Sequence, residues 1–293
     1  MFKGVATALI TPFDENGVDF DAYEKLINYQ IANGADALVV CGTTGEPATM
    51  TETEKKSVIG TALEVIAHRV PAIVGSGSNA THTAISASRE AEALGADALL
   101  VVTPYYNKCT QGGLIEHYTS VAESVKLPII MYNVPGRTGV NIKPETALAL
   151  SKVGNIKAIK EASGNIAQVM ELSRLLAGTG VSIYSGDDAL TLPMLALGID
   201  GVISVTSNIV PRVMHDIVTL FHNGKVDEAR ALHMKYLKLM NVLFVETNPI
   251  PVKYAACKTG IIPKNILRLP LTPIEEQDAQ RIDAVMRELG LID

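Results

Sequence analysis

The chain has 293 residues, 47% hydrophobic and 19% charged, which is enough apolar material for a large core and excludes a disordered chain. Its formal charge of −6 at pH 7, without any basic run, argues against nucleic acid and anionic membranes as partners. No apolar stretch reaches membrane-spanning length, and Met1-Phe2-Lys3-Gly4-Val5 enters an ordered pattern with no room for a signal peptide. The three cysteines, at positions 41, 109 and 257, form no CxxC pair and predict free thiols in a reducing, cytoplasmic setting.

In chain order, apolar runs predict eight strands at about 5–10, 37–42, 71–75, 98–103, 128–133, 156–160, 181–185 and 201–205. Helical patterns fill the intervals, Thr51 to His68 and Asn79 to Leu94 among them. The strand runs do not alternate cleanly, as expected of parallel strands covered on both faces. Asn33-Gly34-Ala35-Asp36-Ala37-Leu38 recurs as Leu94-Gly95-Ala96-Asp97-Ala98-Leu99, and more loosely as Leu197-Gly198-Ile199-Asp200-Gly201-Val202. Each copy holds a glycine that ends a helix, a polar turn and an apolar strand. Val70-Pro71 and Leu127-Pro128 enter their strands through proline. This alternation predicts an α/β fold, a (β/α)8 TIM barrel over about residues 1–223; a doubly wound sheet would carry fewer units. Helical patterns at about 226–246, 251–258 and 273–289 predict a C-terminal helical extension over about 224–293, with Asn248-Pro249-Ile250-Pro251 as a rigid connector.

The sixth run, Ile156-Lys157-Ala158-Ile159-Lys160, places Lys160 on the face shared by Ile156 and Ala158. A buried ammonium is costly to desolvate, so its pKa should fall toward neutrality. A partly neutral lysine is a nucleophile suited to forming a Schiff base with a carbonyl substrate.

In such a barrel the active site lies at the C-terminal ends of the strands. There the chain places Cys41-Gly42-Thr43-Thr44-Gly45-Glu46, Thr103-Pro104-Tyr105-Tyr106-Asn107, Tyr132-Asn133-Val134-Pro135-Gly136-Arg137, Lys160-Glu161, Ser185-Gly186-Asp187-Asp188 and Ser204-Val205-Thr206-Ser207-Asn208. Three of the nine tyrosines join a lysine at these positions, a composition fit for moving protons. Gly75-Ser76-Gly77-Ser78-Asn79-Ala80 matches a dinucleotide fingerprint, but the acidic residue it needs would close the next strand, and Asp97 opens it instead. The Gly42–Gly45 loop lacks the Gly-Lys-Ser/Thr of a P-loop. All six histidines (68, 82, 117, 215, 222, 233) fall in helical patterns or at their ends, so the expectation is covalent activation by lysine without metal or cofactor.

GTTGE (42–46), TPYYN (103–107), YNVPGRTG (132–139), KEASGN (160–165), SGDD (185–188) and NPIPVK (248–253) stand in order along the chain. On these motifs the sequence resembles the dihydrodipicolinate synthase family, within the N-acetylneuraminate lyase superfamily of class I aldolases, over essentially its whole length. The resemblance implies a lyase of diaminopimelate and lysine biosynthesis that condenses pyruvate with L-aspartate 4-semialdehyde to 4-hydroxy-tetrahydrodipicolinate. It implies that Lys160 forms the imine with pyruvate and that Tyr132 shuttles protons, relayed through Thr43 and Tyr106. Thr44, with the backbone of its loop and main chain near Ile203, would bind pyruvate's carboxylate, and Arg137 that of the semialdehyde. It further implies that Tyr106 reaches the site of a neighbouring subunit, making a homodimer part of the catalyst, with a dimer of dimers as the family's usual homotetramer, and that Tyr105 packs at that interface.

One departure stands out. Lysine-inhibited members carry histidine and glutamate where this chain has Lys55 and Thr83, and often serine where it has Pro47, although Asn79 and Tyr105 fit an inhibitor site. The expectation is weak or absent inhibition by lysine. Alternatives are another pyruvate-dependent class I aldolase acting on a sugar-derived aldehyde, against which Arg137 argues, a pyridoxal-phosphate enzyme, and a barrel without turnover that acts as a sensor or scaffold.

Overall fold

The computed structural model describes residues 1–293. Eight parallel strands close a barrel: β1 (Gly4–Ala8), β2 (Ala37–Val40), β3 (Ala72–Gly75), β4 (Ala98–Val102), β5 (Ile129–Asn133), β6 (Ile156–Glu161), β7 (Ser182–Ser185) and β8 (Gly201–Ser204). They stand in sequence order round the barrel, with helices between them, so the fold is the (β/α)8 barrel that the alternation predicts. Strand interiors are buried almost without exception, which is why Val, Ile, Leu and Ala fill both faces. A small antiparallel hairpin of Phe13–Asp14 and Gly17–Val18 follows β1, a feature absent from the sequence reading. No helix is long and apolar enough to cross a membrane.

The chain divides into two compact units, Met1–Lys3 with Pro71–Ile203, and Gly4–Val70 with Ser204–Asp293. In the first, β3 to β8 run side by side as parallel neighbours, with one register shift between β5 and β6 at Ile129–Ile130, down to Gly201 beside Tyr184. Phe2 stacks on Tyr184 at 4.3 Å between ring centroids, and the Tyr184 hydroxyl donates to the Phe2 carbonyl at 2.6 Å. The second holds β1 paired with β2, the hairpin and the C-terminal helices. Those helices run Val226–Val242, Ile250–Lys258 and Glu276–Glu288. The segment expected as a connector turns at Asn248-Pro249 and is already helical from Ile250, because proline lacks only an N–H that the first helical turn leaves unused.

The repeated Gly-x-Asp turn has a structural cause. Gly34, Gly95 and Gly198 all take positive φ past a helix end, and the aspartate two residues later sets the strand that follows. Asp36 Oδ2 accepts from the Val5 amide at 2.8 Å, Asp97 Oδ2 from Ala72 at 2.8 Å and Asp200 Oδ2 from Ile183 at 3.3 Å. Each aspartate also donates its own amide to the same residue's carbonyl, at 2.8, 3.0 and 2.9 Å. The clamp thus joins β1 to β2, β3 to β4 and β7 to β8 at the strand starts. Gly4, at φ 117, is required beside it, since a Cβ there would collide with the Asp36 carboxylate.

The glycine-rich run after β3 also has a packing explanation. A Cβ on Gly77 would fall on the backbone of Val102, so this glycine permits a close approach between chain segments. That gives Gly77 a packing role of its own.

Candidate active site

Lys160 sits in β6, with Tyr132 beside it on β5 and Tyr184 on β7. Only 5% of its surface is exposed, and its Nζ lies 4.3 Å from the centroid of the Tyr132 ring. Burial pushes its pKa down to about 8; the Asp188 carboxylate acts against the fall and the Arg137 guanidinium adds to it. An amine in that range is part neutral near pH 7–8, as nucleophilic attack on a carbonyl requires. Room for the side chain comes from Gly186, where a Cβ would stand 2.9 Å from Lys160 Cε and 2.7 Å from Ala162 Cβ.

Glu161 is held by a polar network. Its carboxylate accepts from Asn133 Nδ2 at 2.8 Å, from the Ser163 amide at 2.7 Å and from Gln168 Nε2 at 3.3 Å. Asn133 in turn donates to Asn141 Oδ1 at 2.8 Å and accepts from the Ile142 amide at 2.8 Å. This network ties the ends of β5 and β6 to the loop that carries Arg137. The sequence shows Glu161 and Asn133 at the strand ends beside Lys160 and Tyr132 but gives them no role, and Gln168, on the helix Ile166–Leu176, carries no signal of its own. Arg137 itself lies exposed in the one-turn helix Pro135–Thr138.

Tyr106 belongs to the same unit and points outward, 89% exposed. Its backbone has φ +75°, a conformation costly for a non-glycine residue, and its amide donates to the Thr138 carbonyl at 3.3 Å. Tyr105 beside it is 40% exposed. Ile203, in β8, is fully buried.

Thr43 and Thr44 lie in the other unit, in the 3-10 turn Thr43–Gly45 that follows β2. Thr43 is half-buried and Thr44 is 3% exposed. Asn248 Nδ2 donates to Thr44 Oγ1 at 2.9 Å, and Thr11 Oγ1 donates to the Gly45 carbonyl at 2.8 Å. Because Thr44 Oγ1 accepts from an amide, its own proton is left to donate elsewhere. Lys55 pairs with Glu52 at 2.8 Å, and Thr83 is exposed on the helix Thr81–Leu94.

The model of the "Dihydrodipicolinate synthetase family" matches residues 1–289. The chain belongs to this family. It is similar to the 4-hydroxy-tetrahydrodipicolinate synthase of Alkaliphilus oremlandii, 50% identical over 292 residues and covering 100% of both chains. Among solved structures it resembles the dihydrodipicolinate synthase of Thermotoga maritima, with TM-score 0.97, 44% identity and 100% of both chains covered. It likewise resembles the chloride-inhibited dihydrodipicolinate synthase of Acinetobacter baumannii complexed with pyruvate, with TM-score 0.97, 42% identity and 100% of both chains covered. Within the family frame, the buried amine of Lys160 is the group whose burial and neighbours suit covalent chemistry.

Proposed function

We infer that this chain condenses pyruvate with L-aspartate 4-semialdehyde to give 4-hydroxy-tetrahydrodipicolinate, as a lyase of the class I aldolase type in lysine biosynthesis. The observation that carries the reading is the buried Lys160 amine, its pKa lowered to about 8, beside the Tyr132 ring in a chain of this family.

The Lys160 amine attacks the keto carbon of pyruvate, and loss of water leaves a protonated imine. That cation draws electrons from the neighbouring methyl, so a proton departs and an enamine forms. The enamine carbon attacks the aldehyde of the semialdehyde, whose amino group then adds to the imine carbon and expels Lys160 as ring closure completes. Tyr132 moves the protons of imine formation, with Thr43 and Tyr106 as relay, because each hydroxyl both donates and accepts. Thr44 and main chain at Ile203 receive pyruvate's carboxylate, and the Arg137 guanidinium grips the carboxylate of the semialdehyde bidentately.

Tyr106 serves a neighbouring copy of the chain, making a homodimer, itself paired into a tetramer, the working enzyme. Its outward side chain, 89% exposed on a strained backbone, supports this reading. The enzyme acts in the cytoplasm. Lysine inhibits it weakly or not at all, since Lys55 repels an ammonium and Thr83 offers no charge to hold one. Full inhibition by sub-millimolar lysine in a coupled assay would overturn that part.

Borohydride reduction in the presence of pyruvate, followed by peptide mass spectrometry, tests the central step. A pyruvyl adduct on Lys160 is expected; an unmodified Lys160 with the adduct absent defeats the reading. Turnover of aspartate semialdehyde, measured against N-acetylmannosamine, separates this reaction from that of a sugar-acid aldolase.

A further inference from the structure

Lys253 ends the motif Asn248-Pro249-Ile250-Pro251-Val252-Lys253 and sits in the first turns of the helix Ile250–Lys258. Its Nζ lies 2.7 Å from Glu46 Oε1, and the two side chains are 0% and 1% exposed. The same Nζ donates to the Ile266 carbonyl at 2.5 Å, and Glu46 Oε2 accepts from the Arg268 amide at 3.3 Å. The Phe13 ring offers a π-face to two cations, with its centroid 4.2 Å from Lys253 Nζ and 4.3 Å from Arg268 Cζ. Both members of the charge pair thus find further hydrogen-bond partners inside the protein.

A buried ion pair adds little net stability, because desolvating two charges offsets most of their attraction. What such a pair can supply is a fixed geometry. Here the geometry is unusual: Glu46 has φ 58° and ψ 38°, left-handed backbone that disfavours a side chain. It directly follows the turn Thr43–Gly45, and its amide closes that turn onto the Thr43 carbonyl at 3.2 Å. Five residues before Lys253, Asn248 grips Thr44 Oγ1. One segment therefore holds the turn at its middle residue, Thr44, by the Asn248 amide, and at the residue that closes it, Glu46, by the Lys253 ammonium.

We propose that the Lys253–Glu46 ion pair is a positioning device for substrate: it pins Glu46 in the left-handed conformation that aims the Thr43–Thr44 turn at pyruvate's carboxylate. Lys253 and Glu46 act through the turn and do not touch substrate. The proposal rests on the reading of Thr44 as a pyruvate ligand, so the experiment examines the two separately.

Steady-state kinetics would compare Glu46→Gln, the double variant Glu46→Gln/Lys253→Met and Thr44→Val. The double variant leaves no buried charge unpaired and is the one chosen to fold. In both Glu46 variants KM for pyruvate rises about tenfold, with a fall in kcat beside it because Thr43 shares the turn, while KM for aspartate semialdehyde stays within about twofold. A folded double variant with the parent's KM for pyruvate overturns the proposal, as does a loss confined to kcat. If Thr44→Val leaves KM for pyruvate unchanged, it is the assignment of Thr44 that fails. Hydrogen exchange on the unaltered protein gives a readout independent of any variant. Pyruvate slows exchange in residues 42–46 and also in 250–258; protection confined to 42–46 overturns the coupling.

Discussion

Gly186 and Lys160 are matched in shape: a Cβ on the glycine would sit 2.9 Å from Lys160 Cε and 3.1 Å from Lys160 Cγ. The same Cβ would press on Ala162 at 2.7 Å, where no flexible chain can give way. Gly186→Ala should therefore displace the amine while leaving the barrel folded. We expect kcat/KM to fall by about 10- to 100-fold, since small misplacements of a reacting group are costly. Circular dichroism and borohydride trapping would check it, and wild-type trapping in a folded Gly186→Ala protein would refute it.

Lys160 also stores instability. Its ordinary pKa of 10.5 falls to about 8 in the folded protein, so between those values the unfolded chain binds more protons. Stability rises with pH through that window, and the full cost of burying the charge applies below pH 8. Lys160→Met should abolish turnover yet raise stability at pH 7 by about 2–3 kcal/mol. Urea unfolding at pH 7 and pH 10 would show the gain shrinking at the higher pH; a destabilised variant would contradict the argument.

If Lys160 forms the imine as proposed, the same lowered pKa sets the pH course of that step. The neutral fraction of Lys160 falls about tenfold for each pH unit below 8. The rate of borohydride-trappable imine formation should decline with that slope from pH 8 to pH 6. A flat profile over this range would show that another step limits the reaction.

Arg268 and Glu54 form a forked ion pair, at 2.5 and 3.0 Å, beside the capping box that Glu54 makes with Thr51. The Arg268 guanidinium, helped by the Thr51 amide, holds the Glu54 carboxyl down at about 2 against an ordinary 4.5. The contribution is present above pH 4.5 and is lost as pH falls toward 2. Both side chains are about a quarter exposed, so solvent screens the pair and Arg268→Ala should cost only about 1 kcal/mol at pH 7. Thermal melts at pH 7 and pH 3 should show that difference narrowing in acid; a constant difference would argue against the pair.

Much of this structure is legible in the chain because its signals are local. The eight barrel strands are short runs of Val, Ile, Leu and Ala, and the structure places every one within a few residues of the expected span. Lys160 stands out for the same reason, as a charge at the end of an apolar run. The hairpin escapes because each strand has two residues, although Asp14-Glu15-Asn16-Gly17 carries a turn signal. Asp14 Oδ1 accepts from the amides of Asn16 and Gly17, at 2.7 and 3.0 Å. The partners of Glu161 and of Lys253 are harder still: Asn133 lies 28 residues from Glu161, and Glu46 lies 207 from Lys253. No periodicity links residues so far apart. The two prolines of 248–251 read as stiffness, whereas one side of that turn grips Thr44.

The aspartate clamps bear on how the barrel assembles. They span 31, 25 and 17 residues, so each closes within a single strand–helix–strand stretch. Register along three strand pairs is thereby decided by short loops, whose closure costs little entropy. A chain leaving the ribosome can align β1 with β2, and β3 with β4, before its last third exists. The eight-stranded ring is then a joining of pre-registered pairs, and pulse-labelled exchange should find the Val5 and Ala72 amides protected before the ring closes.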